Sequence, residues 1–289
     1  MNASTRLNLR AAIVSVVILM LLLAVWHVAT RPVGAAAAAP LTPEEIEYQK
    51  MLGKDPSAGG KQNNGFPTLT QMRETVVANL AHPFYDNGPN DKGIGIQLGH
   101  SLGRVALGFG LAALVAIPLG FVIGMSPLMY RALDPFIQVL KPISPLAWMP
   151  LALYTIKDSS ISGIFVIFIC SVWPMLLNTA FGVAGVRREW LNVAKTLEVT
   201  PLRTAFEVIL PAAAPTIVTG MRISMGIAWL VIVAAEMLVG GTGIGYFVWN
   251  EWNNLSLTNV IFAILVIGVV GMVLDLLFAR LQRAVSYAD

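Results

Sequence analysis

The residues of this chain that are best placed to do chemistry are charged side chains inside long apolar runs. Lys141 and Arg222 are cations of this kind. A charge inside a bilayer is costly, so it usually marks an ion path or pairs with an opposite charge. Two cations beside one cavity would suit a small anion. The alternatives are structural pairing, with Glu236 or Asp275 as partners, and hydrogen bonds to carbonyls that prolines leave free.

Polar residues near these cations could line the same path. Gln138 and Asn178 have this option, although a hydrogen bond between helices is the commoner role for such side chains. Glu236, toward the outer end of its apolar run, could act in a gate, in a salt bridge or simply at the membrane interface. Arg104 could attract anions or extend to the interface. The candidate path residues are Lys141, Arg222, Gln138, Ser144, Asn178 and Glu236.

No combination of side chains supports catalysis, metal binding or nucleotide binding. Cys170 is the single cysteine, the three histidines are dispersed, and the phosphate-binding pattern Gly-x-x-x-x-Gly-Lys-Ser/Thr is absent. The glycine-rich stretch 240–245 lacks the lysine of such a pattern, and we expect it to be a flexible surface connection. The formal net charge of +3, without a dense basic cluster, excludes nucleic acid as a partner. We therefore expect neither an enzyme nor a bound cofactor or metal.

The elements that must position these residues are membrane-spanning helices. Hydrophobic residues make up 56% of the sequence and charged residues 12%, against about 25% charged in soluble domains. The apolar runs are roughly 18 to 25 residues long, enough for a helix to cross about 30 Å of hydrocarbon. The expected fold is all-α and polytopic. Its six spans are predicted over residues 11–29, 98–123, 133–156, 161–183, 212–239 and 259–278.

Two of these spans carry patterns that predict how they pack. Small residues recur every four positions in the second span, from Gly108 to Gly124, so another helix can approach closely. The third span is interrupted by several prolines between Pro135 and Pro150. Such a segment is stable in a membrane only when it is buried in protein or lines a water-filled cavity.

Basic residues set the expected topology. Arg6 and Arg10 precede the first span, further basic residues follow the fourth span, and Arg280 and Arg283 follow the sixth. Because basic residues favour the cytoplasmic side, both termini are expected in the cytoplasm. The alternative is that the first span is a signal peptide, cleaved at the small residues 34–39.

The chain divides into three predicted regions, an N-terminal span, an outer linker and a core of five spans. Their bounds are residues 1–30, 31–97 and 98–283. Within the linker, apolar spacing over 69–80 predicts an amphipathic helix, which Thr68 or Thr70 could cap. A second short helix, with Trp249 and Trp252, is expected at the outer membrane interface.

The charged stretch 187–211 lies between two apolar runs. Its apolar residues fall at helical spacing in two groups, at 190, 193, 194 and 197 and at 202, 205, 206 and 209. Thr200 can cap the second group, with Pro201 at the first helical position. We predict two short amphipathic helices that meet near Val199 and Thr200. Spacing alone leaves two roles open: docking of a soluble partner, or packing as a hairpin on the spans.

This stretch resembles the "EAA" loop of ABC-importer permease subunits. That pattern reads Glu-Ala-Ala, three residues, Gly, nine residues, then Ile-x-Leu-Pro. The residues that match it are Ala194, Leu210 and Pro211. Val208 stands conservatively for the Ile, and those that depart from the pattern are Asn192, Val193 and Glu198, where it has Glu, Ala and Gly. Thr200 and Pro201 could supply a turn two residues after the missing glycine.

A wider resemblance, over about 98–283, is to permeases of nitrate, sulfonate, taurine and bicarbonate importers. The stretches that carry it are 101–105, 133–135, 144–151 and 235–238. The stretch 246–254, Tyr-Phe-Val-Trp-Asn-Glu-Trp-Asn-Asn, and the long insert before the second span look like the nitrate branch. The resemblance implies a type I ABC-importer permease bundle for a small inorganic oxyanion, with nitrate as the first choice. Alternatives are bicarbonate, cyanate or sulfonate and taurine.

In this family the charged loop is a coupling helix that docks on a separate ATPase subunit, which binds ATP and Mg. The residues implied in coupling are Ala194, Leu197, Glu198, Thr200, Pro201, Leu202, Arg203, Phe206, Leu210 and Pro211. The further partners implied are a second copy of the permease and a periplasmic or lipid-anchored substrate-binding protein, all at the bacterial inner membrane. A secondary transporter or channel without an ATPase is the more distant alternative, and it would be expected to show paired, inverted broken helices.

Overall fold

The regular elements of the described chain are helices. A computed structural model describes residues 3–30, 47, 66–88 and 90–285, and in those ranges one isolated β-bridge, between Asp86 and Lys92, accompanies the helices. The all-α fold class is confirmed. The proposed cleavage site at 34–39 and most of the predicted linker over 31–97 lie outside the described residues.

The helices described in this structure are numbered α1 to α11 in chain order. They are α1 Ala3–Ala29, α2 Leu69–Ala81, α3 Ile94–Met125, α4 Pro127–Leu140, α5 Trp148–Ile156, α6 Ser159–Ala184, α7 Arg188–Thr196, α8 Pro201–Thr204, α9 Leu210–Val239, α10 Ile244–Asn253 and α11 Leu257–Val285. The chain forms two compact units. The first takes its described residues from Met1–Ala81 and Asn254–Phe262, and the second from His82–Asn253 and Ala263–Asp289.

The first unit contains α1 and the predicted amphipathic helix, α2. Thr68, not Thr70, caps α2: the Gln71 N–H donates to Thr68 Oγ1 over 3.4 Å, and the Thr68 N–H donates to Gln71 Oε1 over 2.9 Å. This reciprocal pair satisfies two backbone donors at a helix start. Trp26 of α1 donates its ring N–H to the Pro67 carbonyl at 2.9 Å. The helix predicted over 69–80 is confirmed.

Five described helices are long and apolar enough to cross a membrane, or six if one bent pair counts as a span. That pair is the predicted broken third span, in which α4 and the segment Pro145–Ile156 meet at 76°. The second segment begins with a short 3₁₀ turn, Pro145–Ala147, which leads into α5. Pro142 and Pro145 have no N–H to continue a helical ladder, so the break falls where these prolines stand.

Close approach at glycines holds the long helices of the second unit together. A Cβ at Gly108 of α3 would lie 2.7 Å from Ile167 Cβ of α6, and one at Gly120 would lie 2.7 Å from Thr179 Cβ. On the other side of α6, a Cβ at Gly220 of α9 would lie 2.6 Å from Asn178 Cβ. The stripe of small residues in the second span therefore packs against α6, as predicted.

Candidate functional site

The charged loop folds as two helical segments, which confirms the prediction for 187–211. α7 ends at a turn, and α8 runs through a π-helical turn, Ala205–Ile209, into the long helix α9. Pro201 occupies the first helical position, and Thr200 precedes it with an extended backbone. The Thr200 side chain, however, accepts no capping hydrogen bond from a backbone N–H of the helix. Pro211 cannot donate to the Glu207 carbonyl, and the helical ladder changes register in the π turn just before it.

The turn between these segments forms at Glu198, where the resembling pattern has glycine. Glu198 adopts a left-handed backbone with φ of 53°. Its N–H donates to the Lys195 carbonyl at 3.0 Å, and the Val199 N–H donates to the Ala194 carbonyl at 3.0 Å. These two bonds are those of a Schellman motif, which usually has glycine at this position. The expectation that Thr200 and Pro201 replace the glycine turn is therefore wrong: the glutamate adopts the glycine conformation.

Some apolar side chains of the loop pack on the neighbouring helices, and others are exposed. Ala194 and Ile209 are buried, and Ile209 belongs to an apolar cluster with Val183 and Ala213. Other apolar side chains of the loop are exposed in the single chain, although three of them share the spacing of one helix face with Ala194. The exposed side chains are Trp190, Val193, Leu197, Leu202 and Phe206. An ion pair between Arg203 and Glu207, 2.8 Å long and exposed, borders this surface.

Exposed apolar side chains on a short charged loop indicate a surface that another protein covers. Packing on its own spans, the alternative left open by the spacing, uses Ala194 and Ile209 but not the exposed set.

Lys141 lies at the break of the third span, beside a cavity of about 450 Å³. The C-terminal end of α4, the 3₁₀ turn, α6 and α9 form its wall, which includes Trp173 and Asn178. Asn178 donates to the Pro174 carbonyl at 2.8 Å. Among the ion pairs of the described residues none includes Lys141. A cavity with mainly apolar walls, one cation and one amide can hold a small anion.

Arg222 does not share this cavity. Its Nε and Nη2 donate to the two Asp275 oxygens, each at 2.7 Å, and its Nη1 donates to Gln282 Oε1 at 3.3 Å. It borders a separate space of about 340 Å³ between α9 and α11. The expectation of two cations at one cavity is wrong for the single chain. The structure shows the alternative, pairing of Arg222 with Asp275. This bidentate arginine–carboxylate pair neutralises the charge of Arg222.

Of the other candidate path residues, Gln138 lies away from the Lys141 cavity and Ser144 lies between two residues of its wall. Gln138 is exposed and donates to Asp134 Oδ2 at 2.6 Å. Ser144 begins the 3₁₀ turn and lies between Ile143 and Pro145, which contact the cavity. The structure thus brings Lys141 and Asn178 together, with Ser144 beside the same wall, and leaves Gln138, Arg222 and Glu236 apart.

Glu236 is buried, 4% exposed, at the end of the second unit opposite the charged loop. Arg104 Nη1 donates to Glu236 Oε1 at 2.7 Å and also to the Thr242 carbonyl, while Arg104 Nε donates to Ser160 Oγ at 2.8 Å. Ser101 Oγ lies 2.8 Å from Glu236 Oε2. Of the alternatives for Glu236, the structure shows the salt bridge.

The glycine-rich stretch 240–245 is fixed by the same group of side chains. The Gly243 N–H donates to Gln97 Oε1 at 2.6 Å, the Ile244 N–H to Ser101 Oγ at 2.9 Å, and the Gly245 N–H to Glu236 Oε2 at 3.1 Å. A flexible connection was therefore the wrong expectation. Sequence reasoning missed Gln97 and Ser101, although their positions, four residues apart on the helix that carries Arg104, were an available signal.

Apolar spanning helices that surround charged side chains, and a loop that keeps apolar side chains exposed, define the membrane subunit of a transport assembly. Residues 116–287 match the family described as "Binding-protein-dependent transport system inner membrane component". Since the match covers more than half of the chain, the protein belongs to this family, the permease subunits of ABC importers. Such subunits carry no cofactor and are not enzymes, because a partner subunit binds and hydrolyses ATP. A binding protein is a further partner of these importers.

Known relatives support the same family. The chain is 45% identical over 228 residues to the nitrate import permease protein NrtB of Synechocystis sp., covering 79% of this chain and 83% of that protein. It is 45% identical over 208 residues to the bicarbonate transport system permease protein CmpB of the same organism, covering 72% and 74%. A chain of the MetNI methionine ABC transporter, solved in inward-facing conformations, has the same fold at a TM-score of 0.59 and 13% identity, covering 66% of this chain and 95% of that one.

Proposed function

We propose that this chain forms the membrane path of an ATP-driven importer for a small inorganic oxyanion, with nitrate as the first substrate to test. The observation that carries the proposal is Lys141, a cation without an ion-pair partner among the described residues, beside a cavity at the break of the third span. The relatives named for nitrate and for bicarbonate are equally similar at 45%, so bicarbonate is the second candidate.

In this proposal the charged loop faces the cytoplasm and binds the ATPase. Its basic residues, together with Arg280 and Arg283 near the C-terminal end of α11, favour the cytoplasmic side for this end of the helices. The exposed side chains of Leu197, Leu202 and Phe206 would enter a groove of the ATPase subunit. Both termini are then cytoplasmic, and α10 lies on the periplasmic side, where the binding protein docks.

Two copies of the chain are proposed to form the path together. A single described chain leaves the Lys141 cavity open at one side and exposes many apolar side chains of α4 and α5, including Phe136, Val139 and Tyr154. A symmetric homodimer would cover such faces, since closed twofold assemblies are the commonest oligomers. When ATP closes the motor, the coupling loops approach each other and rotate the helices that carry them, which opens the path outward.

Transport measurements in a deletion strain test this proposal. Uptake of labelled nitrate, bicarbonate and taurine is compared in cells that supply the partner subunits. We expect nitrate uptake to be restored, and we expect Lys141→Gln to raise the KM for nitrate about tenfold, a loss of about 1.4 kcal/mol of anion binding. The matched control is Lys157→Gln, in the turn after α5 and outside the cavity. Restoration of bicarbonate uptake alone would move the assignment to that anion, and an unchanged KM in Lys141→Gln would exclude Lys141 from the path.

A further inference from the structure

The polar network around Glu236 connects helices that otherwise have few polar contacts. Gln97, Ser101 and Arg104 extend from α3, and Glu236 extends from α9. α3 and α9 both pack along α6 through close contacts at Gly108, Gly120 and Gly220. The network therefore joins α3 to α9 directly, at the end of the unit opposite the charged loop.

The start of α10 supplies the backbone part of this network. A helix start leaves N–H groups without partners inside the helix, and it favours a negative charge nearby. Here the N–H groups of Gly243, Ile244 and Gly245 donate to side chains of α3 and α9, Glu236 among them. The carboxylate is thus held by Arg104, by Ser101 and by a helix start.

The loop conformation requires glycine at two of these positions. A Cβ at Gly243 would overlap the Glu236 carboxylate, and a Cβ at Gly245 would overlap the Val233 carbonyl. Gly243 also has a positive φ of 150°, a conformation that side chains with a Cβ rarely adopt. The backbone therefore wraps closely around the buried charge.

The two ends of α9 are held by different kinds of contact. Near the charged loop the contacts are apolar, among Val183, Ile209, Ala213 and Ile217. At the opposite end Val231 and Ala235 pack in an apolar cluster with α5 and α6, but the contacts of α9 with α3 are hydrogen bonds and one ion pair. A buried ion pair is attractive while the site is dry, but the same attraction falls severalfold once water enters. Separating α3 from α9 at this polar network, with water entering, is therefore easier than separating the apolar contacts near the charged loop.

We propose that the Arg104–Glu236 pair is a latch, a positioning pair that keeps the outer end of the permease closed at rest and opens in the step that receives substrate. The latch comprises Glu236, Arg104, Ser101, Gln97 and the stretch 242–245. It rests on the proposed function, because it requires ATP-driven alternating access with the charged loop in the cytoplasm. In this scheme α10, where the binding protein docks, pulls on the latch through its own N-terminus.

The test uses the purified complex of the permease with its ATPase subunits in nanodiscs, without binding protein. We expect Glu236→Gln, which keeps the shape and removes the charge, to raise the ATP hydrolysis rate at least threefold. Ser101→Ala, which removes one hydroxyl, should raise it at least twofold. The control is Asp275→Asn, which breaks the other arginine–carboxylate pair that involves α9. That pair joins α9 to α11 rather than to α3, so the control should leave the rate unchanged.

Each result decides the matter. A raised rate in Glu236→Gln and Ser101→Ala, with the control unchanged, supports the latch. Wild-type or lower rates in the assembled variants overturn it, because the loss of a purely structural pair would lower stability and activity together. If Glu236→Gln does not assemble, the milder Ser101→Ala decides by the same criterion. Failure of the wild-type permease to bind any ATPase subunit would instead overturn the proposed function, and it is visible before any variant is measured.

Discussion

Phe206→Ala should weaken binding of the ATPase subunit without destabilising the permease. Phe206 lies in the π-helical turn of the charged loop and is 65% exposed. Complete burial of a phenylalanine side chain contributes about 1.5 to 3 kcal/mol. If the ATPase covers the exposed part, the substitution loses about 1 to 2 kcal/mol of binding, which is about a 5- to 30-fold lower affinity.

The assay is a titration of fluorescently labelled ATPase subunit into permease in nanodiscs, with wild type and variant measured side by side. Because little of the side chain is buried in the permease itself, its thermal stability should change by no more than about 0.5 kcal/mol. The matched control is Leu114→Ala, an equally exposed apolar residue in the middle of α3, which should not alter ATPase binding.

Two results would refute the reasoning. Wild-type affinity in a correctly folded Phe206→Ala variant would show that the ATPase does not cover this surface. An equal loss in Leu114→Ala would show that the effect comes from the membrane region rather than from the charged loop.

Three further predictions concern the turn at Glu198, the packing at Gly120 and the Asp86–Lys92 bridge. Glu198→Gly removes the cost of a left-handed backbone at a residue with a Cβ, so it should raise the free energy of unfolding by up to about 1 kcal/mol. A lower melting temperature would contradict this. Gly120→Ala should destabilise by about 1 to 3 kcal/mol, since its Cβ would meet Thr179 and the Leu176 carbonyl, whereas Gly110→Ala, with open space around it, should not. The Lys92 hydrogen bond lowers the pKa of Asp86, so its stabilisation is complete above the ordinary aspartate pKa of about 3.9 and is lost as pH falls through the lowered value. The amide protection factors beside the Asp86–Lys92 bridge, which correct for the intrinsic pH dependence of exchange, should fall there and should stay constant with pH in Asp86→Asn.

Local patterns in the sequence predicted much of the fold. Proline spacing predicted the break of the third span, because a missing N–H acts on the residues beside it. Regular apolar spacing predicted the two helices of the charged loop, and the small residues between Gly108 and Gly124 predicted a close helix contact. Each of these effects depends on neighbours along the chain.

Contacts between residues far apart in the sequence could not be predicted from such local patterns. Arg104 and Glu236 are 132 positions apart, and nothing local pairs them. For Arg222 the sequence offered two acidic partners, and the helix packing selects Asp275. The left-handed backbone of Glu198 was also missed, since glutamate has no local preference for it and the packing of Ala194 and Ile209 holds the turn.

The central claim, that this permease carries a small oxyanion under the control of ATP, is tested most directly by transport in proteoliposomes. Permease, ATPase subunits and binding protein are reconstituted, and uptake of labelled nitrate is measured with and without ATP. The account predicts nitrate accumulation that requires ATP and both partner proteins, and that falls in Lys141→Gln. Nitrate flux that is equal without ATP or without the ATPase would contradict it, as it would show a channel or a secondary transporter.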